Sequence, residues 1–188
     1  IEIIHGFITN FDNNKMNLIL NVQLNKMNKN SYCVIMAGGL GKRFWPVSTR
    51  ACPKQFCDIL NVGKSFLRQT FERANQIFDT RNIFIVTGSA YEELTKQQIP
   101  EIPSENILKE PFGKNTAPCV AYAAYRIARV NPHASMVVVP SDHFITNDAV
   151  YLDNIQKGIS FVEQSGGLLT IGIKPTRPET GYGYIAAG

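Results

Sequence analysis

The stretch "SYCVIMAGGLGKRFWPVSTRACPKQF", residues 31–56, joins a short apolar run to a long loop. The run 31–36 does not alternate polar and apolar side chains and stops shortly before a pair of glycines, as is typical of a buried parallel strand. The loop 37–56 holds three glycines, two prolines and four basic residues. Glycine and proline give a loop a defined shape, and basic side chains favour an anionic ligand. This stretch therefore predicts a strand that leads into an anion-binding loop.

Apolar runs of strand length alternate with segments of helical periodicity through the rest of the chain. The predicted strands are 31–36, 82–88, 106–110, 135–140 and 168–173. The predicted helices are 65–78, 89–99, 115–130 and 147–167. Such alternation predicts an α/β fold, with a Rossmann-like, mostly parallel sheet and helices on both faces. Ligands of these sheets bind at the carboxyl ends of the strands, so the loops there are the places to search.

The composition narrows the class of protein. The chain has 188 residues, 44% of them hydrophobic and 18% charged, with a net charge of +4. This balance suits a globular domain with a sizeable core, and the mild charge argues against a dedicated nucleic-acid surface. No apolar run approaches the roughly 20 residues of a membrane span. We therefore expect a cytoplasmic protein that binds neither nucleic acid nor membrane.

The four cysteines and the amino-terminal segment allow two further expectations. Cys33, Cys52, Cys57 and Cys119 form no CxxC pair, and we expect free thiols instead of a disulfide or a metal site. Residues 1–26 are rich in Asn, Ile and Lys and have no stable periodicity. We expect this segment to be an extension outside the fold, disordered or loosely attached, with a short added strand as the alternative. The folded domain is then expected to span 27–188.

The loop after the first strand has features of a phosphate site. Its glycines let backbone N–H groups approach a polyphosphate, but the spacing matches neither a dinucleotide fingerprint nor a P-loop. Arg43 offers a planar fork for phosphate oxygens, and Lys54 follows the rigid Pro53 as a point charge. Taken alone, the loop could equally be a basic solvated turn. Trp45, beside Pro46, is expected to pack and fix the loop.

Four ordered motifs carry a resemblance to a known family. The pattern Gly39-x-Gly41-x-Arg43-x-x-Pro46 followed by Pro53-Lys54 resembles the signature of the sugar-phosphate nucleotidyltransferases. The segments "KEPFGKNTAP" (109–118), "VVVPSDHFI" (137–145) and "TIGIKPTRPETGYGYI" (170–185) are similar to the mannose-1-phosphate guanylyltransferase branch. The resemblance implies a nucleotide-diphospho-sugar transferase fold. It also implies GTP and mannose 1-phosphate as partners, Mg²⁺ as cofactor, and leaves a homo-oligomer open.

The resemblance also assigns roles to individual residues. It implies Arg43, Lys54 and Asp142 as catalytic residues, with Asp142 as the Mg²⁺ ligand. The nucleotide-binding residues that it implies are Ala37, Gly38, Gly39, Gly41, Lys42, Arg43, Glu110, Asn115 and Thr116. The sugar-binding residues that it implies are Glu179, Gly181 and Gly183. These side chains and backbone groups are expected to converge around the triphosphate and the sugar.

Local sequence leaves simpler roles open for each group. Asp142 could cap the turn after its strand, and Asn115 or Thr116 could do no more than cap a helix. Lys114 could meet phosphate or water, and His143 is expected to be structural. The segment 175–185 could be a hairpin turn with exposed tyrosines.

The implied reaction transfers GMP from GTP to mannose 1-phosphate, giving GDP-mannose and pyrophosphate. Members of the family continue with a Glu-Lys-Pro segment and a later aspartate, and neither occurs before Gly188. We therefore expect this chain to bind GTP and to turn over slowly or not at all. The alternatives are a nucleotidyltransferase for another base and sugar, and a non-catalytic nucleotide-binding fragment. A dinucleotide-binding oxidoreductase is disfavoured because Gly39-x-Gly41 is not followed by the glycine that completes the G-x-G-x-x-G fingerprint of such enzymes.

Overall fold

Five parallel strands form one sheet in the computed structural model, which describes residues 2–4, 26–39, 44–173, 175, 177–178, 180 and 183–185. The strands are β1 (Glu2–Ile4), β2 (Ser31–Met36), β3 (Ile83–Gly88), β4 (Ile107–Glu110) and β5 (Ser135–Pro140). Their spatial order is β1-β5-β2-β3-β4, and every pair is parallel. Four of the predicted strands, those that became β2 to β5, are confirmed.

In the described part of the chain, one α-helix follows each of the strands β2 to β5. These helices are α1 (Phe66–Asn75), α2 (Glu92–Gln98), α3 (Thr116–Val130) and α4 (Asp148–Ser165). The side chain of Ser65 accepts a hydrogen bond from the backbone N–H of Arg68, as its predicted N-cap role requires. Helix α4 ends at Gly166, whose φ of 67° is the left-handed conformation that terminates many helices. None of the helices in the described ranges combines the length and apolar character needed to cross a bilayer.

The sheet buries both of its faces. Successive side chains of β2 point to opposite sides, so Cys33 and Ile35 join one cluster while Tyr32 and Val34 join another. The first cluster is covered by α1 and α4 and includes Leu67, Phe71, Leu152, Ile155, Ile159 and Val162. The second is covered by α3 and includes Cys119, Ala123 and Ile127. The predicted α/β fold with helices on both faces is confirmed.

The order of the strands fixes where a ligand can bind. From β2 the chain moves outward to β3 and β4, and then returns to place β5 on the other side of β2. The crossover from β2 leads to one side of the sheet, and the crossover from β4 leads back past β2 to the other side. The order of the strands therefore reverses between β2 and β5, and the carboxyl ends of these two strands, the switch point of the sheet, are where such folds have a crevice for ligands. Met36 and Pro140 are register partners at these ends, so the loops that begin at Ala37 and Ser141 leave the sheet side by side.

The amino-terminal segment is partly integrated into the fold. Residues 2–4 form β1, in which Glu2 is paired with Ser135 at the edge of the sheet. Lys26 donates a hydrogen bond to the carbonyl of Phe78 over 2.9 Å. The expectation of an extension outside the fold is therefore wrong for these residues, and the alternative of a short added strand applies. Residues 5–25 lie outside the described residues.

The predicted strand 168–173 does not form. Leu169 has an isolated bridge, and the described residues 170–173 have no regular structure. Leu169 and Ile171 pack against the core while Leu168 is exposed, which is the alternation of a strand without its ladder, and the alternation ends at the exposed Ile173. An apolar run becomes a strand only where a neighbouring backbone pairs with it, and here the pairing is limited to one residue.

Candidate active site at the carboxyl ends of β2 and β5

The loop that follows β2 begins at a fixed point. The backbone N–H of Ala37 donates to the carbonyl of Val86 over 2.8 Å. The carbonyl of Ala37 accepts from the side-chain amide of Gln55 over 2.8 Å and from the hydroxyl of Thr87 over 3.1 Å. Gly39 follows with a φ of 92°, a conformation that side chains rarely adopt. The start of the predicted nucleotide-binding loop is therefore held to β3 and to its own far end.

The loop that follows β5 is fixed in the same way. The backbone N–H of Ser141 donates to the carbonyl of Met36 over 3.0 Å, which extends the pairing with β2 by one residue. The hydroxyl of Thr70, on α1, donates to the carbonyl of Ser141 over 3.2 Å. Ser141 is buried, so these bonds are shielded from water. They set the position of the next residue, Asp142.

Lys54 and Asp142 meet at the crevice between the two loops. Lys54 opens a short 3-10 turn, Lys54–Phe56, directly after Pro53. Its ammonium forms an ion pair with Oδ2 of Asp142, and the two side chains are 27% and 23% exposed. A pair at the sheet's switch point that water still reaches can exchange its partners for those of a ligand. The structure thus brings together two of the three side chains predicted to converge, while Arg43, Gly41 and Lys42 lie outside the described residues.

Gln55 holds the turn that carries Lys54. The residue is 1% exposed, and its amide nitrogen donates to the carbonyls of Ala37 and, over 3.2 Å, of Gly39. Its Oε1 is buried without a hydrogen-bond partner among the described residues. The carbonyl of the next residue, Phe56, accepts from the amide of Gln98 over 2.8 Å. Sequence analysis missed Gln55, because nothing in the pattern "PKQF" distinguishes a buried glutamine from an exposed one.

Exposed aromatic side chains surround the carboxyl ends of the strands. Phe44 lies below the ammonium of Lys54, which is 5.2 Å from the ring centroid. Trp45 is 76% exposed, so the expectation that it packs to fix the loop is wrong. Phe112, in the loop after β4, is 75% exposed, and Phe144, in the loop after β5, is 65% exposed. Large exposed rings at the mouth of a crevice offer surfaces on which a base or sugar can stack.

Glu110 lies at the end of β4 and faces the glycine loop. A Cβ atom added to Gly38 would lie 3.7 Å from Oε2 of Glu110, so the carboxylate approaches the loop backbone closely. Burial raises the pKa of Glu110. Burial, with a smaller effect of the Glu110 charge, raises the pKa of the Cys119 thiol to about 12. Glu110 is therefore near both Gly38 and the first turn of α3.

The amino-terminal end of α3 opens towards the same side of the sheet. Asn115 occupies the N-cap position, but its side chain makes no capping hydrogen bond. Its φ of 66° and ψ of −166° belong to a region that is populated almost only by glycine. Lys114 and Thr116 are exposed beside it. The simpler role of Asn115 as a side-chain cap is therefore wrong, and its strained backbone leaves its amide side chain unused by the helix.

Asp142 is the candidate ligand for a divalent cation. Among the described residues no group of three or more His, Cys, Asp or Glu side chains is arranged to hold a metal ion. One carboxylate beside a phosphate site nevertheless fits Mg²⁺, which takes one or two protein carboxylates and completes its shell with phosphate and water oxygens. Partial desolvation lowers the pKa of the neighbouring His143, against the opposing attraction of Asp142. The burial of His143 therefore favours its neutral form.

The predicted sugar-binding segment is described only in part. Glu179 and Gly181 lie outside the described residues. Gly183 is exposed, and an added Cβ atom would meet no other atom within 4 Å. This position is therefore open to a ligand, and it has no packing role of its own.

Two of the cysteines lie together beside Lys54. The structure has four free thiols, of which Cys33 and Cys119 are buried in the core, as expected. The sulfur atoms of Cys52 and Cys57 are 3.3 Å apart. Spacing alone did not indicate this contact, because it depends on the tight turn that the chain makes between the two residues.

The parallel sheet, the glycine loop and the charged pair at the switch point together define a nucleotide-binding transferase domain. The chain belongs to the nucleotidyl transferase family, whose pattern matches residues 32–188. It is 38% identical over 157 residues to a mannose-1-phosphate guanylyltransferase from Escherichia coli, with 82% of this chain and 33% of that protein aligned. It is 40% identical over 159 residues to the xanthan biosynthesis protein XanB of Xanthomonas campestris, with the same two shares. The resemblance drawn from the motifs is thereby confirmed.

A solved structure agrees with the fold. The chain superposes on a protein described as mannose-1-phosphate geranyltransferase from Thermus thermophilus with a TM-score of 0.59 and 27% identity. That match covers 68% of this chain and 37% of the other. The chain spans about a third of the length of the curated relatives that it matches.

Proposed function

We propose that this chain forms the GTP-binding part of an enzyme that transfers GMP from GTP to mannose 1-phosphate, giving GDP-mannose and pyrophosphate. The observation that carries the proposal is the pairing of Lys54 with Asp142 at the switch point of the sheet. The names of the relatives support the choice of guanine and mannose. The matched region, 32–188, supports the proposed nucleotidyltransferase domain of residues 27–188.

The reaction requires the protein to position the two substrates and to stabilise negative charge. A phosphate oxygen of the sugar phosphate attacks the α-phosphorus of GTP in line, and pyrophosphate leaves without a covalent enzyme intermediate. Negative charge grows on the equatorial oxygens, and a fixed ammonium nearby stabilises it. Lys54 supplies that ammonium, since its turn is held by the buried Gln55. Arg43, on the same loop, is proposed to clamp further phosphate oxygens.

Asp142 is proposed to hold Mg²⁺. If bound there, Mg²⁺ would neutralise part of the charge of the triphosphate. Asp142 would then exchange its pair with Lys54 for the cation, and the ammonium of Lys54 would be available to the phosphate. Both charges of the pair therefore find new partners at the same time, which limits the desolvation cost of binding.

The remaining residues are proposed to select the nucleoside and the sugar. The backbones of Ala37, Gly38, Gly39 and Gly41 and the side chain of Lys42 would surround the triphosphate. Glu110 would accept from the amino group of guanine, and Asn115 and Thr116 would contact base or ribose. Glu179, Gly181 and Gly183 would contact mannose. With four free thiols and no membrane-crossing helix among the described residues, we propose the cytoplasm as the compartment.

A thermal-shift titration with GTP tests the proposal, with and without Mg²⁺ and beside ATP and UTP. At a GTP concentration of about 100 times Kd, binding should stabilise the chain by about 2.7 kcal/mol, with a smaller effect for ATP and UTP. Lys54→Met should weaken binding about 10- to 100-fold, because a charge-assisted hydrogen bond contributes about 1.5–3 kcal/mol. Lys157→Met is the matched control, since Lys157 pairs with Asp153 on the exposed face of α4. Equal stabilisation by UTP, or an unchanged response of Lys54→Met, would contradict the proposal.

A further inference from the structure

The Cys52 and Cys57 thiols bracket the turn that presents Lys54. They are five positions apart, half-buried, and separated by 3.3 Å between sulfur atoms. The Sγ of Cys57 also contacts the carbonyls of Cys52 and Pro53 over 3.4 and 3.5 Å. The two sulfurs are thus in van der Waals contact across the base of the turn.

The backbone brings the thiols together independently of any ligand. The N–H of Cys57 donates to the carbonyl of Lys54 over 3.1 Å, which closes the 3-10 turn. On the other side, Cys52 exchanges hydrogen bonds with Thr49, donating to its hydroxyl over 3.1 Å and accepting from its N–H over 3.0 Å. Both cysteines are therefore anchored, and their contact is a fixed feature of the loop.

We propose that Cys52 and Cys57 are a redox-modification site, which a low-molecular-weight disulfide of the glutathione type converts to an intrachain disulfide that displaces Lys54. The effect on Lys54 as a phosphate-binding residue rests on the proposed function. The modification itself rests only on the geometry of the two thiols.

The reaction is a double thiol–disulfide exchange. The Cys52 thiolate attacks one sulfur of the small disulfide, forms a mixed disulfide and releases one small thiol. The Cys57 sulfur then attacks Cys52 Sγ, the second small thiol leaves, and the protons of both cysteines end on the released thiols. The protein loses two electrons and two protons, and the small disulfide gains them. Burial and the hydrogen bond with Cys52 raise the pKa of Cys57 to about 11, so Cys57 is not the first nucleophile, and it passes its proton to the leaving small thiolate when it attacks Cys52 Sγ.

Bond formation must move the turn. A disulfide has a sulfur–sulfur distance of about 2.05 Å, so the two atoms must approach by more than 1 Å from their present separation. Lys54 lies between the two cysteines, and its neighbour Gln55 is held by short hydrogen bonds to the glycine loop. Because displacement removes the charge-assisted hydrogen bonds that Lys54 would donate to phosphate, we expect GTP binding to weaken at least about tenfold on oxidation.

Peptide mapping tests the modification without nucleotide. The chain is incubated with oxidised glutathione and digested with trypsin under non-reducing conditions. Because trypsin cleaves after Arg50, Lys54 and Lys64, a disulfide joins the peptides 51–54 and 55–64 into one product whose mass is lower by two hydrogen atoms than the sum of the two. Cys57→Ser should instead keep one glutathione on Cys52, whereas Cys52→Ser should take up little, because it lacks the thiol that attacks first. Failure of the wild-type chain to give the joined peptide would overturn the proposal.

GTP titration then tests the consequence for Lys54. Oxidised wild-type chain should bind GTP at least about tenfold more weakly than reduced chain, dithiothreitol should restore binding, and Cys52→Ser, which cannot form the disulfide, should not respond to the oxidant. A joined peptide with unchanged GTP affinity would overturn the displacement of Lys54. If the reduced chain does not bind GTP at all while the peptide still forms, the modification site stands and the proposed function is wrong.

Discussion

Asp142→Asn should have opposite effects on GTP binding in the absence and in the presence of Mg²⁺. Without Mg²⁺ the carboxylate repels the triphosphate and holds Lys54 in the ion pair. The variant removes both effects at nearly constant side-chain volume. With Mg²⁺, the carboxylate is the proposed protein ligand of the cation, and the amide that replaces it is a weaker one.

The size of the first effect follows from the position of the pair. Two unit charges about 5 Å apart interact by about 0.8 kcal/mol in water and about 3 kcal/mol at an effective dielectric constant of about 20. The side chain of Asp142 is 23% exposed, which puts it between these limits. We therefore expect Mg²⁺-free GTP to bind about 1–2 kcal/mol more tightly, or about 5- to 30-fold. The gain in affinity on adding Mg²⁺ should shrink by at least the same factor.

Calorimetric titration with GTP, in chelator and in excess Mg²⁺, measures both effects. Asp153→Asn is the matched control, because it removes a carboxylate from an ion pair with Lys157 far from the crevice. That control should reproduce the wild-type affinities in both conditions. If Asp142→Asn binds Mg²⁺-free GTP no more tightly than the wild type and keeps the full response to Mg²⁺, the assignment of Asp142 is wrong.

Two further variants test the side of the site formed by β4 and α3. Asn115→Gly should raise the free energy of unfolding by about 1 kcal/mol, because it relieves a backbone strain of about 1–3 kcal/mol at a smaller cost in chain entropy. The same variant should weaken GTP binding, because it removes the amide side chain. Thermal unfolding measures the first effect and GTP titration the second. A lower Tm would refute this. Burial raises the pKa of Glu110, so the folded chain binds the proton of this carboxyl group more tightly than the unfolded chain does. The free energy of unfolding therefore falls as the pH rises from the unfolded-state pKa of Glu110 through its folded-state pKa. Glu110→Gln should therefore be more stable than the wild type at about pH 7 and about equal to it at about pH 4 in urea unfolding.

Much of the fold could be predicted because buried parallel strands and amphipathic helices have strong local signals. The runs "SYCVIM" and "SMVVVP" became β2 and β5 with the predicted bounds. The failures concern segments whose structure depends on a distant neighbour. Residues 168–173 carry the right side chains for a strand but lack a pairing backbone, and residues 2–4 form one because β5 offers a free edge. Single-chain periodicity does not contain that information.

The candidate site shows the same division. The meeting of Lys54 and Asp142 could be predicted, since both follow strands whose carboxyl ends lie at one edge of the sheet. Gln55 could not, because its role depends on carbonyl groups that reach it only after the loop has folded back. The contact between Cys52 and Cys57 was equally invisible, because it arises from the tight turn after Pro53 and no spacing rule encodes it.

The amide of Gln55 joins the far end of its loop to the near end, at Ala37 and Gly39. These two hydrogen bonds therefore close the loop between Gly39 and Pro53 at its base. The ammonium of Lys54 is therefore positioned from the base of the loop and not from its middle. Chains with a different number of residues in the middle of this loop would present the ammonium at the same place if they keep these two hydrogen bonds.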